Sequence, residues 1–201
     1  ARATLAVAQG NIDRALEEYR YSIRIDAGAT DARQRLARLY LAEGRAEEAL
    51  STLGAGEGAA ALPEEGDFLR LRALAQLGRV GKRNPLLLRL TRERSTRVPA
   101  ALAAAEGSAA HGGPKAAAAL LGRVLASGPL LPQEAELLRE RVRFLGDAGE
   151  KIPARSLAAA AAQRHPGQAR FQEILGFALE RSGAPPEELK RTYQRALELS
   201  P

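Results

Sequence analysis

Few residues able to make or break bonds occur in this chain, and their spacing keeps them apart. The two histidines, His111 and His165, lie far from each other at turns or helix ends. Ser108 stands three residues before His111, a spacing at which a hydroxyl and a general base share one helical turn. The nearest acid, Glu106, is not at a helical spacing that would orient the imidazole, and the segment around it is rich in alanine. These residues are therefore expected on the surface without a catalytic role. The chain has no cysteine, so disulfides and thiolate metal sites are excluded and the redox compartment stays open. No catalytic, cofactor-binding or metal site is expected, and no cofactor.

The run Gly54-Ala55-Gly56-Glu57-Gly58 has the glycine density of a phosphate-cradling loop. Such loops follow a strand and open a helix, whereas this run follows a helical pattern and contains an acid, so it is expected to be a flexible connection. The pairs Glu47-Glu48, Glu64-Glu65 and Glu187-Glu188 fall at expected helix starts, where negative charge complements the helix dipole. They are structural rather than a pair of acid and base carboxylates.

Positive charge is concentrated. Arg79, Lys82, Arg83, Arg89, Arg92, Arg94 and Arg97 face a single acid, Glu93, within residues 79–97, and the rest of the chain balances at 23 basic to 23 acidic residues. Such a patch could meet phosphate, an anionic surface or an acidic protein. No aromatic interleaves with these arginines, which speaks against single-stranded nucleic acid, where base stacking contributes.

The elements that must carry these side chains are helices. Alanine, leucine, arginine and glutamate dominate, aromatics make up 4%, and strand-forming residues are scarce. No apolar run is long enough to span a bilayer, so no transmembrane segment is expected. Gly10, Gly44, Gly78, Gly112, Gly149 and Gly183 each follow an amphipathic stretch, at spacings of 34, 34, 34, 37 and 34 residues. A fixed period of this length marks a repeat array. A glycine just past a helix permits the left-handed conformation that closes it and lets the chain reverse, so each period is expected to be a helical hairpin.

The second period reads Leu36-Ala37-x-x-Tyr40, Gly44, Ala49-x-x-x-Leu53. The fifth reads Val142-x-x-Leu145, Gly149, Ala154-x-x-x-Ala158-x-x-Ala161, and the last Leu175-Gly176-x-x-Leu179, Gly183, Tyr193-x-x-Ala196. Pro129, Pro166 and Pro201 stop the second helices. This pattern resembles the tetratricopeptide repeat family over nearly the whole chain. The resemblance implies an all-α fold, an α-α superhelix built as a solenoid of antiparallel hairpins, with about eleven or twelve helices. A single array over 1–201 is expected, with repeats near 1–29 (truncated), 30–63, 64–97, 98–134, 135–168 and 169–201. The third repeat departs from the pattern: Leu71 and Arg83 occupy its small-residue positions, and its second helix begins late, with Asn84 as cap and Pro85 as first residue. A wider gap or a kink is expected there. Leu130 to Gln133 supply the excess that stretches one spacing to 37. Ala1 falls midway along a first helix and Pro201 ends where a seventh repeat would start. The chain is accordingly expected to be a piece of a longer array, or to pack its open ends on a partner or on another copy.

The resemblance further implies a non-catalytic scaffold whose first helices line a concave groove for a partner protein or peptide. The groove positions map onto Asp31, Gln34, Arg38, Glu65, Phe68, Arg72, Leu102, Glu106, Glu136, Arg139, Arg143, Glu173 and Phe177. Arg38, Arg72 and Arg143 recur at one repeat position, with Arg35 and Arg139 nearby, so the expected partner is acidic. Phe68 and Phe177 would be apolar anchors, and Leu102 a smaller one. The family's chaperone-tail binders use asparagines that are missing here, since Asn11 and Asn84 both lie in turns. Arginine outnumbers lysine 26 to 4, which suggests a GC-rich bacterial genome, where such arrays serve envelope, secretion or polysaccharide-export assemblies. Two other readings stand beside the scaffold: a regulatory or substrate-presenting part of a larger enzyme, and binding of nucleic acid or an anionic surface through residues 79–97.

Overall fold

The computed structural model describes residues 2–26, 28–54, 64–81, 84–127 and 135–200, with the side chains of Glu64, Arg94 and Ser95 outside the described set. Among the described residues the structure is all helix: α1 (Arg2–Ala8), α2 (Ile12–Ile25), α3 (Thr30–Ala42), α4 (Ala46–Thr52), α5 (Glu64–Gln76), α6 (Pro85–Leu90), α7 (Arg94–Ala126), α8 (Ala135–Asp147), α9 (Lys151–Arg164), α10 (Ala169–Ser182) and α11 (Pro186–Leu199). The expected all-α fold class is met. Most of Gly54 to Gly58, and Leu130 to Gln133, lie outside the described residues; Gly54 itself is left-handed at φ 71°.

Five turns close in one way. At Gly44 the backbone takes φ 72°, its N–H donates to Leu41 O at 3.3 Å, and the next N–H, of Arg45, reaches back to Tyr40 O at 2.7 Å. That pair of bonds satisfies carbonyls the helix end would leave bare, and it needs a left-handed residue. The same long bond recurs after Gly10 (Asn11 to Ala6), Gly78 (Arg79 to Leu74), Gly149 (Glu150 to Leu145) and Gly183 (Ala184 to Leu179). The sixth expected turn is displaced. Gly112 continues the helix, and the break falls at Gly113, with φ 77° and ψ 171°, which divides α7 in two. Pro114 favours the break there: its ring crowds a helical residue before it, and a glycine leaves the helical region at less cost than Val98, which stays helical before Pro99.

By its internal contacts the chain divides into two compact units, residues 1–92 and 93–201. In the first, α1 pairs with α2, α3 with α4 and α5 with α6, while α3 packs on α5. Ala37 and Ala49 are fully buried and let α3 and α4 approach; Leu36, Tyr40 and Leu53 fill the space around them. The late start of α6 is as expected, since the Asn84 side chain accepts from the N–H groups of Leu86 at 3.0 Å and Leu87 at 3.1 Å. This helix ends after six residues, and α7 starts at Arg94, ahead of the expected repeat boundary. Arg70 of α5 donates to the carbonyls of Leu53 at 2.7 Å and Gly54 at 2.9 Å, capping the end of α4. Asp67 is buried at 2% exposure, facing Arg70 at 3.5 Å and ion-paired with Arg89 of α6.

In the second unit α8 pairs with α9 and α10 with α11, and α7 and α10 both pack on α8. One face of α9, carrying Ala154, Ala158, Ala161 and Ala162, is buried in the cluster that holds Phe171 and Ile174. Small residues again set the approach. A Cβ on Gly176 would lie 2.6 Å from the Tyr193 ring of α11, one on Gly122 2.9 Å from the Arg141 guanidinium, and one on Gly146 2.8 Å from Arg181 Nε. His165, expected at the surface, is half-buried and stacks on Phe171 with ring centroids 4.4 Å apart. Ion pairs link successive hairpins within each unit: Glu47 with Arg79 and Arg38 with Glu65 in the first, Lys115 with Glu150, Arg155 with Glu188 and Arg181 with Asp147 in the second. Their side chains are exposed enough that solvent screens them and each contributes little to stability.

Gly176→Leu should wedge α10 from α11 and lower stability by ~1–3 kcal/mol, read as a fall in melting temperature, whereas Gly167→Ala, with open space at its Cβ, should leave it nearly unchanged. Asp67→Ala should cost ~1–3 kcal/mol by removing the buried carboxylate that Arg70 and Arg89 share, although Arg70 keeps its bonds to the α4 carbonyls; a denaturant midpoint equal to wild type would show that this carboxylate is not needed.

Candidate partner-binding faces

The first helices α3 and α5 present the expected groove residues of unit 1. Gln34 is buried at 8% exposure and is therefore part of the packing. Arg35 pairs with Asp31 one turn earlier at 2.8 Å, and this bond, with the charge behind it, raises the Arg35 pKa. Arg38 is ion-paired with Glu65 across α3 and α5, so two expected groove positions neutralise each other. Phe68 is half-buried. Arg72 is exposed and has no ion pair among the described residues.

In unit 2, α7, α8 and α10 bring Glu106, Arg139, Arg143 and Phe177 together, while Leu102 lies half-buried on α7. Arg143 Nε donates to Glu140 at 2.7 Å and Nη1 to Asp147 at 3.3 Å, and its guanidinium sits 4.1 Å over the Phe144 ring. The hydrogen bond to Glu140 is the main cause that raises the Arg143 pKa, and the charges of Asp147 and Glu106 add to it. Phe177 is half-buried and flanked by two guanidinium groups, Arg139 at 5.7 Å and Arg181 at 5.5 Å from the ring centroid. Arg181 is held by Asp147, whereas Arg139 has no carboxylate partner among the described residues. Of the recurring arginines, then, Arg38 and Arg143 are compensated by carboxylates, and Arg72 has none among the described residues.

Three arginines of the basic segment have partners within the chain. Arg79 reaches Glu47 through both terminal nitrogens, at 2.5 and 3.1 Å. Arg89 pairs with the buried Asp67, and Arg97 donates to the Val124 carbonyl at 2.8 Å. Arg92 is exposed; Lys82, Arg83 and the Arg94 side chain lie outside the described residues. Asp67, the residue that holds Arg89, went unnoticed in the sequence, although its spacing of three from Arg70 was the available signal. Also unnoticed was a cleft of about 1000 Å3 in unit 1, beside α2.

Among the described residues no group of histidine and acidic side chains is placed to hold a metal ion, and no helix is long and apolar enough to cross a membrane. His111, exposed, has Nδ1 2.9 Å from the Gly107 carbonyl, a bond within its own helix turn.

Comparison with known proteins agrees with this architecture. The family model for the tetratricopeptide repeat matches residues 6–74. No curated protein matches the chain in sequence. Among solved structures, a tetratricopeptide repeat protein from Parabacteroides merdae ATCC 43184 is 16% identical, with 97% of this chain and 81% of that chain covered and a TM-score of 0.56. A thermophilic TPR protein from Thermus thermophilus is 19% identical over 98% of this chain and 95% of that chain, at a TM-score of 0.47. MamA is 16% identical over 99% and 94%, at 0.45. At such identities the likeness speaks to the fold. Residues 6–74 carry the tetratricopeptide repeat, and the helices that follow them have the same hairpin architecture, so the chain has the fold of tetratricopeptide repeat proteins.

Proposed function

We propose that the chain is an array of six hairpin repeats, near 1–29, 30–63, 64–97, 98–134, 135–168 and 169–201, that holds an acidic partner segment on its first-helix faces. The family and fold point to a protein-interaction scaffold rather than to catalysis. The acidic character of the partner is supported by the Arg139–Phe177–Arg181 stack on α8 and α10, in which an aromatic ring fixes a guanidinium that no described carboxylate neutralises. A guanidinium resting on a ring is pre-organised, and its outward N–H edge can take a carboxylate in two parallel bonds. Arg72, on α5 of unit 1, likewise has no ion pair among the described residues. Arg38 and Arg143 are weaker candidates because a ligand carboxylate must compete with Glu65, or with Glu140 and Asp147.

The test is affinity capture from a lysate of the source organism on the immobilised chain, with captured proteins identified by mass spectrometry. Arg72→Glu with Arg139→Glu should abolish capture while far-UV circular dichroism stays unchanged. Arg38→Glu with Arg143→Glu should weaken it less. Capture unaffected by the first pair would remove the first-helix faces as the binding site.

A further inference from the structure

Helix α2 runs for fourteen residues, but the second helix of the next hairpin, α4, stops after seven. Gly54, at φ 71°, ends it, and Arg70 caps its last carbonyls. Among the described residues nothing covers the C-terminal half of α2: Tyr21 is 54% exposed and Ile25 70%. Beside it opens the cleft of about 1000 Å3, floored by Leu36 and Tyr40 of α3 and edged by Ser51 and Thr52. Helical spacing places Leu36 and Tyr40 on the side of α3 turned away from Arg38, so this cleft is separate from the first-helix face.

The lining is chemically specific. Arg20 and Arg24 lie one turn apart on α2, and each rests on a tyrosine: Arg20 5.7 Å over Tyr40, with its Nε donating to the Tyr40 hydroxyl at 2.9 Å, and Arg24 5.8 Å over Tyr21. Neither has an ion pair among the described residues, unlike Arg35, Arg38, Arg45, Arg79, Arg89 and Arg143. Arg2 and Arg33 add positive charge, while Glu17 and Glu18 line the cleft as its acids.

We propose that this cleft is a second protein-binding site, which takes an acidic segment with carboxylates on Arg20 and Arg24 and an aromatic side chain on the Tyr21–Ile23 wall. The two guanidinium groups are pinned by rings, so little side-chain entropy is lost when a carboxylate bridges them. The uncovered apolar side of α2 supplies the area that a charge pair alone lacks. The site is independent of the first-helix reading, since it uses different residues on a different side of α3.

The chain has no tryptophan, so Tyr21→Trp gives an emission signal local to the cleft and keeps a ring under Arg24. The probe is a synthetic octapeptide of alternating glutamate and phenylalanine, titrated into the full chain, with the glutamine version as control. A saturable emission change is expected with the glutamate peptide and none with the control. Arg20→Gln with Arg24→Gln should weaken it about tenfold or more, and Arg24→Lys, which keeps the charge and loses the fork, should fall between. Arg72→Gln with Arg139→Gln should leave it unchanged. Circular dichroism and a thermal melt of each variant establish that the fold is intact. No saturable change, a change indifferent to Arg20 and Arg24, or equal loss in the Arg72/Arg139 variant would each overturn the proposal. Peptide binding detected by anisotropy without any tryptophan response would overturn it while leaving the first-helix faces as the site.

Discussion

The closure of a helix through a left-handed glycine, with the following N–H reaching the carbonyl five residues back, is the constraint on which the hairpins depend. It fixes where a helix ends and sends the chain back antiparallel. Once the reversal is fixed, the residues one and two turns before the glycine are committed to particular faces, and the small ones among them decide how near the partner helix comes. Ala37 and Gly176 occupy that role in the second and last hairpins, and Tyr40 and Leu179 fill the space one turn on. The fourth turn shows what happens when a second rule intervenes. Pro114 disfavours a helical residue before it, the break shifts to Gly113, and, since proline has no N–H, the two halves of α7 meet without the long closing bond.

Much of the fold was legible because it rests on such backbone rules, which are local. A glycine at the end of a periodic run, a cap such as Asn84 before Pro85, or an alanine where two helices must touch carries its own reason in the residue type. The displaced break at Gly113 was legible in principle from the Gly-Gly-Pro order. The faces for binding were less legible, because long charged side chains reach across hairpins. Arg38 carries no mark in the sequence that Glu65, on the next first helix, will neutralise it. Arg139 carries no mark that Phe177 will lie beneath it. Helix length matters in the same way: Gly54 could be seen to shorten α4, but the sequence does not show that the longer α2 would line a cleft beside it.

Charge counted along the chain therefore misstates charge available to a ligand. Residues 79–97 hold the densest basic run, yet Arg79, Arg89 and Arg97 are directed at Glu47, Asp67 and a backbone carbonyl. The arginines without an ion pair among the described residues, Arg20, Arg24, Arg72 and Arg139, are scattered through stretches where acids are common. Three of these four rest on aromatic rings, at Tyr40, Tyr21 and Phe177. In a chain with 4% aromatics, such rings decide which arginines stay fixed without a carboxylate.

Asp147 accepts from both Arg143 of its own helix and Arg181 of the next first helix. Two arginines that share one carboxylate do not vary independently. Losing either leaves the other the undivided acceptor, so the effect of a change at one depends on which residue stands at the other. Epistasis of this kind ties neighbouring hairpins together over the course of sequence drift: a substitution tolerated in one hairpin alters which substitutions the adjacent hairpin can accept.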